Sequence, residues 1–258
     1  MIEKYLKEKK KIKYFDEITS TNTVLKEMAD KGADEGTILI SEYQTQGRGR
    51  LKKTFFSPKG CGIYLSYLIK PEIAPCDSVF ITVAAAVAMV RAIDNVFNIK
   101  TKIKWVNDIY FDQKKLSGIL TEGKFKDEST LSYAVLGVGI NIKTPLRGYP
   151  EEFAYKTTNL EEITKTDCDN KKWQLAAEFI NAFDEIFADK TFSYVKDYKE
   201  ASCIIGRDIE ILSGEHKGCA RVIDIDERAR LVVEKSDSKI TLDSGDVSIS
   251  FTEQNRQK

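Results

Sequence analysis

Two arginines flanked by glycines carry the densest chemistry in this sequence, in the segment Gln44-Thr45-Gln46-Gly47-Arg48-Gly49-Arg50. Glycine lets a backbone approach a ligand closely and take positive φ. Guanidinium forks match the oxygens of a carboxylate or phosphate. A solvated hairpin loop accounts for the same residues. So does a nucleic-acid contact, although the repeat is short and holds no aromatic. A second segment runs Lys104-Trp105-Val106-Asn107-Asp108 and continues at Lys114-Lys115-Leu116-Ser117-Gly118-Ile119-Leu120. A polar turn followed by a lysine beside a strand glycine can frame an anion. Alternatively Asn107-Asp108 only makes the turn, Trp105 is core and the lysines are solvated. The third segment, Leu136-Gly137-Val138-Gly139-Ile140-Asn141-Ile142, places two glycines in an apolar strand. They remove side chains where a ligand or another backbone must come close, or they mark a bulge. No GxGxxG is present, so this is not a dinucleotide fingerprint.

These segments need elements to hold them. Ser20-Thr21-Asn22 reads as a helix start, with N-capping as its plain role, because Val24, Leu25 and Met28 follow at helical spacing. Gly32 is the expected stop. Strands are expected at 37–43, 63–69 and 131–142, and a hairpin at 103–111. Val79, Val83, Val87, Val90, Ile93 and Phe97 predict one long helix, and Ala176 to Phe187 a second. A loop is expected from Pro145 to about Asp169. Residues 1–13 read as a charge-rich, solvated arm. After Gly206 come five short strands with tight turns, the pattern of a small barrel. The domain reading is therefore 1–13 arm, 14–205 main domain, and 206–258 barrel.

Composition narrows the class. The 258 residues carry 40 Lys plus Arg against 40 Asp plus Glu, with 42% hydrophobic residues. That excludes a disordered chain and argues against a coat for nucleic acid. A lone histidine excludes a multi-histidine metal site. Five cysteines without a CxxC pair argue against a disulfide framework or a zinc site. No secretory signal or spanning segment is read, so the expectation is cytoplasmic, with no membrane partner.

Taken together, the order and spacing of these segments resemble the biotin–protein ligase family. That family carries Ser-Thr-Asn at a helix start and a Gln-x-x-Gly-Arg-Gly-Arg loop. Lys-Trp-Pro-Asn-Asp, Lys-Leu-x-Gly-Ile-Leu and Gly-x-Gly-x-Asn follow. The resemblance extends from about residue 14 to Leu242-Asp243-Ser244-Gly245-Asp246-Val247-Ser248. Three positions depart from it: Val106 stands for proline, Lys52-Lys53 for a second Gly-Arg, and Phe55 for the usual tryptophan. The resemblance implies an α+β fold, a mixed sheet with helices of the class II synthetase-like type, plus an SH3-like barrel. It implies ATP-dependent formation of biotinyl-5′-AMP and transfer of biotin to a lysine of a biotin carboxyl carrier domain. Lys115 and Arg48 would be catalytic. Ser20, Thr21, Asn22, Gln44, Arg48, Gly49, Arg50, Lys115 and Gly118 would bind biotin. Phe55, Asn107, Asp108 and Asn141 would face ATP, with Asp108 also a ligand for Mg²⁺.

Fewer than 14 residues precede the shared region, so the resemblance is to the short type that binds no DNA. A homodimer paired through a sheet edge is compatible with it. Two rivals remain. One is a lipoate or octanoate ligase or transferase of the same fold, although no cysteine stands beside Lys115. The other is a non-catalytic biotin sensor or nucleic-acid binder.

Overall fold

The computed structural model describes residues 1–127, 130–236, 238–243, 245 and 247–249. Its larger part is a mixed seven-stranded sheet with helices on both faces, as expected for the α+β class. In chain order the elements are β1 (Lys11–Phe15), α1 (Thr21–Asp30), β2 (Thr37–Ser41), β3 (Gly62–Ile69) and α2 (Val79–Phe97). Then come β4 (Lys102–Lys104), β5 (Asp108–Phe111), β6 (Lys114–Phe125) and β7 (Leu131–Asn141). Four helices follow: α3 (Glu151–Ala154), α4 (Leu160–Thr164), α5 (Lys172–Phe187) and α6 (Val195–Glu200). The strand order is β1-β2-β3-β7-β6-β5-β4, with β1–β2 parallel and the rest antiparallel. The apolar strand β7 therefore sits at the centre, which is why it is buried on both faces.

Helices α2 and α5 pack together on one face. The alanines of α2 are fully buried there, and they let the helix lie close to the sheet. By length and composition α2 could cross a membrane, but it is the buried core helix of this fold. On the other face α1 seats Leu25 and Ala29 against Leu39, Leu68, Tyr133 and Val135.

The N-terminal stretch differs from the expected solvated arm. Ile2 is fully buried. Asn181 of α5 accepts the Lys7 N–H at 2.9 Å and donates to the Tyr5 carbonyl at 3.0 Å. Lys10 pairs with Asp184 at 2.6 Å. Ile12 and Tyr14 alternate with Lys11 and Lys13, so β1 has an inward and an outward face. The expected 145–169 loop also contains α3 and α4, which are too short to show helical periodicity.

The C-terminal part is an antiparallel five-stranded sheet of β8 (Asp208–Ile211), β9 (Gly218–Ile225), β10 (Leu231–Lys235), β11 (Ser238–Leu242) and β12 (Val247–Ile249). Their order is β11-β10-β9-β8-β12. Ser244 and Asp246 of the C-terminal motif lie outside the described residues, as do residues 250–258. The two sheets are joined by one continuous apolar core. Trp105 donates its indole N–H to the Ala229 carbonyl at 2.8 Å, and Arg228 pairs with Asp77 at 2.8 Å. Residues 201–203 hydrogen-bond to both sides of Ile103 and so extend the edge of β4.

Candidate active site

A cleft of about 670 Å³ opens along the ends of β6 and β7. Ser20, Thr21, Asn22, Gln44, Arg48, Gly49, Arg50, Phe55, Asn107, Asp108, Lys115 and Gly118 all line it. The sequence brings them together through three devices.

The first is the start of α1. Ser20 occupies the N-cap position, but its side chain makes no capping bond. Gln44 does this work instead. Its Oε1 accepts the Thr21 backbone N–H at 2.8 Å and the Thr21 hydroxyl at 3.1 Å. Its Nε2 donates to the Ser57 hydroxyl at 3.0 Å. Ser66 on β3 donates its hydroxyl towards Thr21 Oγ1 at 2.7 Å and Asn22 Oδ1 at 2.5 Å. Ser20, Thr21 and Asn22 are thus buried polar residues held at one wall, each near-fully shielded from solvent. Such a wall suits a ligand with both donors and acceptors.

The second is the glycine floor. A Cβ on Gly137 would overlap the Asn22 carboxamide, and one on Gly139 would overlap the Phe55 ring. These glycines are needed for close approach rather than for a turn. Gly139 leaves room for the Phe55 ring against β7, and that ring is also edge-on to Tyr64 at 6.4 Å.

The third is the cationic rim. Residues 47–55 fold back on themselves: Gly49 N–H meets the Lys53 carbonyl at 2.7 Å, and Phe55 N–H meets that of Gly47 at 2.9 Å. Leu51 and Lys52 take φ of 52° and 62° at the tip. The backbone is thus left-handed at two residues that are not glycine, at a steric cost. Arg50 donates to Asn107 Oδ1 at 3.2 Å, and Asn107 donates to the Ile119 carbonyl at 2.6 Å. Asn107 is thus a bridge between the loop and β6, and the Trp105–Val106 peptide just before it is cis. Lys115 Nζ lies 2.6 Å from Asp108 Oδ1 and 5.8 Å from the Phe55 ring centre. Lys115 is fixed from behind, since its N–H donates to the Lys156 carbonyl and its own carbonyl accepts the Thr158 N–H.

Asn141 is not brought into the cleft. It is buried at the end of β7 and donates Nδ2 to the Thr158 carbonyl at 3.1 Å. It reaches the cleft through residues 156–158, of which Lys156 and Thr157 are lining residues. Among the described residues no cluster of three acidic, histidine or cysteine side chains could hold a metal. Asp108 offers a single carboxylate, which matches Mg²⁺ held mostly by phosphate and water.

One site residue lacked any sequence signal beyond parity. Glu122 lies two and four residues beyond Leu120 and Gly118 on β6, hence on their side of the strand. Its carboxylate meets Asn22, Lys26 and Arg48, each at 3.1 Å. Burial opposes its charge, yet the Asn22 hydrogen bond and the two cations outweigh burial and hold the carboxyl below its ordinary value.

The sequence model of the biotin/lipoate A/B protein ligase family matches residues 14–141. The bifunctional ligase/repressor BirA of Bacillus subtilis is 36% identical over 149 residues, 58% of this chain and 46% of that protein. The chain thus spans about half the length of such curated relatives. The biotin–[acetyl-CoA-carboxylase] ligase of Mycobacterium tuberculosis is 27% identical, covering 88% of this chain and 85% of that one. Among solved structures, the biotin protein ligase of Aquifex aeolicus in complex with biotin and ATP superposes with a TM-score of 0.77 at 26% identity. That match covers 94% of this chain and 99% of the other.

Proposed function

The chain belongs to the biotin/lipoate A/B protein ligase family, and from that membership we propose that it is an ATP-dependent biotin–protein ligase. The observation that carries the proposal is a single cleft that joins a wall of buried polar groups to a cationic rim and an aromatic shelf. Ser20, Thr21 and Gln44 supply the donors and acceptors that the ureido ring of biotin requires. Arg48, Arg50 and Lys115 supply positive charge where two anions must meet. A biotin carboxylate oxygen attacks the α-phosphorus of ATP, and pyrophosphate leaves. The cations offset the repulsion that otherwise keeps a carboxylate from a phosphate. The backbone bonds on both sides of Lys115 and its pair with Asp108 support this role.

Phe55 offers a ring face for adenine. Asn107 holds Arg50 at the phosphate side. Mg²⁺ bound with the nucleotide would be held by Asp108 and phosphate oxygens, and it would neutralise phosphate charge. In the second step an acceptor lysine amine attacks the acyl carbon of biotinyl-5′-AMP and AMP departs. The acceptor is a lysine of a biotin carboxyl carrier domain of a biotin-dependent carboxylase. None of the five cysteines lines the cleft, which speaks against a cysteine-centred octanoyl transfer.

The test is incubation with biotin, MgATP and a carrier domain, followed by mass spectrometry of the modified lysine. The expected result is a gain of one biotin on one carrier lysine that requires ATP. Transfer of lipoate or octanoate in preference to biotin would overturn the proposal.

A further inference from the structure

Glu122 sits behind the cleft rather than in it. Both Lys26 Nζ and Arg48 Nη2 lie 3.1 Å from its Oε1, while Asn22 donates to its Oε2 at 3.1 Å. Asn22 also donates to the Leu120 carbonyl at 3.2 Å, which ties the start of α1 to β6. Two cations therefore share one carboxylate oxygen, and the trio carries one surplus positive charge. The partners differ in freedom. The Glu122 side chain is 16% exposed, that of Lys26 34% and that of Arg48 45%. Arg48 alone of the three lines the cleft, and it belongs to the 44–55 loop.

We infer that Glu122 is a positioning residue that latches the 44–55 loop through Arg48, and that Lys26 allows the latch to yield to a ligand carboxylate. A largely buried carboxylate that loses its only cation is left uncompensated, at a large cost. With Lys26 in place, Glu122 stays neutralised when Arg48 turns to an incoming anion. The surplus charge is then cancelled by the ligand rather than created by its arrival. Without Lys26, Glu122 and the ligand carboxylate compete for a single guanidinium. The identification of that carboxylate as biotin's rests on the ligase reading, whereas the latch itself does not.

The two parts separate in experiment. In the ligand-free protein, tryptic cleavage within residues 44–55 reads the latch. Glu122→Gln keeps a partner for Asn22 but removes the charge, so cleavage there is expected to quicken about threefold or more relative to wild type. Lys26→Met, which keeps the apolar stem, is expected not to quicken it. Equal rates in Glu122→Gln and wild type overturn the latch whatever the ligand.

Calorimetric binding of biotin and of the neutral biotinamide reads the exchange. Lys26→Met is expected to weaken biotin about three- to fivefold, the scale of a partly exposed charge pair, and to leave biotinamide unchanged. Adding Glu122→Gln to Lys26→Met is expected to restore the preference for the carboxylate. A purely structural role for Lys26 would weaken both ligands alike, and that result overturns the exchange. Wild-type protein that binds neither compound would refute the ligase reading, and the proteolysis result would still judge the latch.

Discussion

Gly139→Ala puts the packing of the cleft to a quantitative test. The new methyl group would overlap the Phe55 ring, and a methyl at the paired Gly118 would meet the same ring at 3.2 Å. Something must move, and the structure says what. Gly139 lies in the central strand between β3 and β6, bound on both sides. Phe55 is half-buried in a loop and faces the open cleft. The ring should therefore yield and the sheet should not. Overpacking in a closed core costs about 1–3 kcal/mol, so a ring free to swing out should put the stability loss at about 1 kcal/mol or less. The loss to function is larger, because a displaced ring no longer offers its face. Aromatic stacking is worth roughly 0.5–1.5 kcal/mol, which is about two- to tenfold in nucleotide affinity. The assays are urea denaturation and the KM for ATP in biotin-dependent ATP–pyrophosphate exchange. Phe55→Ala should raise that KM by a similar factor, and adding Gly139→Ala to it should do nothing more. Additive losses in the double variant would refute the placement of Phe55 on Gly139. So would a stability loss of about 3 kcal/mol with an unchanged KM.

Other residues give independent checks. Lys52→Gly removes a left-handed penalty of about 1–2 kcal/mol but adds unfolded-chain entropy of about 0.5–1 kcal/mol. A gain of up to about 1.5 kcal/mol in urea denaturation is expected, and a loss would contradict the φ of 62° at this residue. Asn141→Ala leaves the Thr158 carbonyl without its buried donor, so stability should fall by about 1–3 kcal/mol. Its effect on ATP should exceed that on biotin, and equal KM changes would deny the route through residues 156–158. The Glu122 carboxyl is held below its ordinary value of 4.5. A depressed folded value stabilises the protein above 4.5 and the gain is lost as pH falls through the folded value. The stability gap between wild type and Glu122→Gln should thus be widest near neutrality and close on acidification below about 4.5. A gap that widens with acid would reverse the assigned sign.

The cleft was legible in the sequence because its residues come as short local motifs. Glycines at 137 and 139, two arginines with two glycines, and a lysine beside Gly118 announce themselves without a structure. Long elements with clear periodicity, such as α2 and β7, were legible for the same reason. The rest depended on partners distant in sequence. Glu122 shows nothing locally. Its importance comes from Asn22, Lys26 and Arg48, which are 74 to 100 residues away. The N-terminal stretch read as an arm because its lysines outnumber its apolar residues. Yet Ile2, Ile12 and Tyr14 are enough to dock it once α5 presents Asn181 and Asp184. Asn141 shares the strand parity of Gly137 and Gly139, but at the strand end its side chain turns to Thr158. Parity gives the face of the sheet, but not that residues 156–158 cover that face at Asn141.

In the proposed reaction, Lys115 and its neighbours join a biotin carboxylate to the α-phosphate of ATP. Isotope exchange between ATP and pyrophosphate, measured with biotin, lipoate and octanoate in turn, tests it most directly. Exchange with biotin should run well above that with either acid, and fall more than about tenfold in Lys115→Ala, on the scale of one removed transition-state charge contact. Exchange that prefers lipoate or octanoate, or near-normal biotin-dependent exchange in Lys115→Ala, would contradict it.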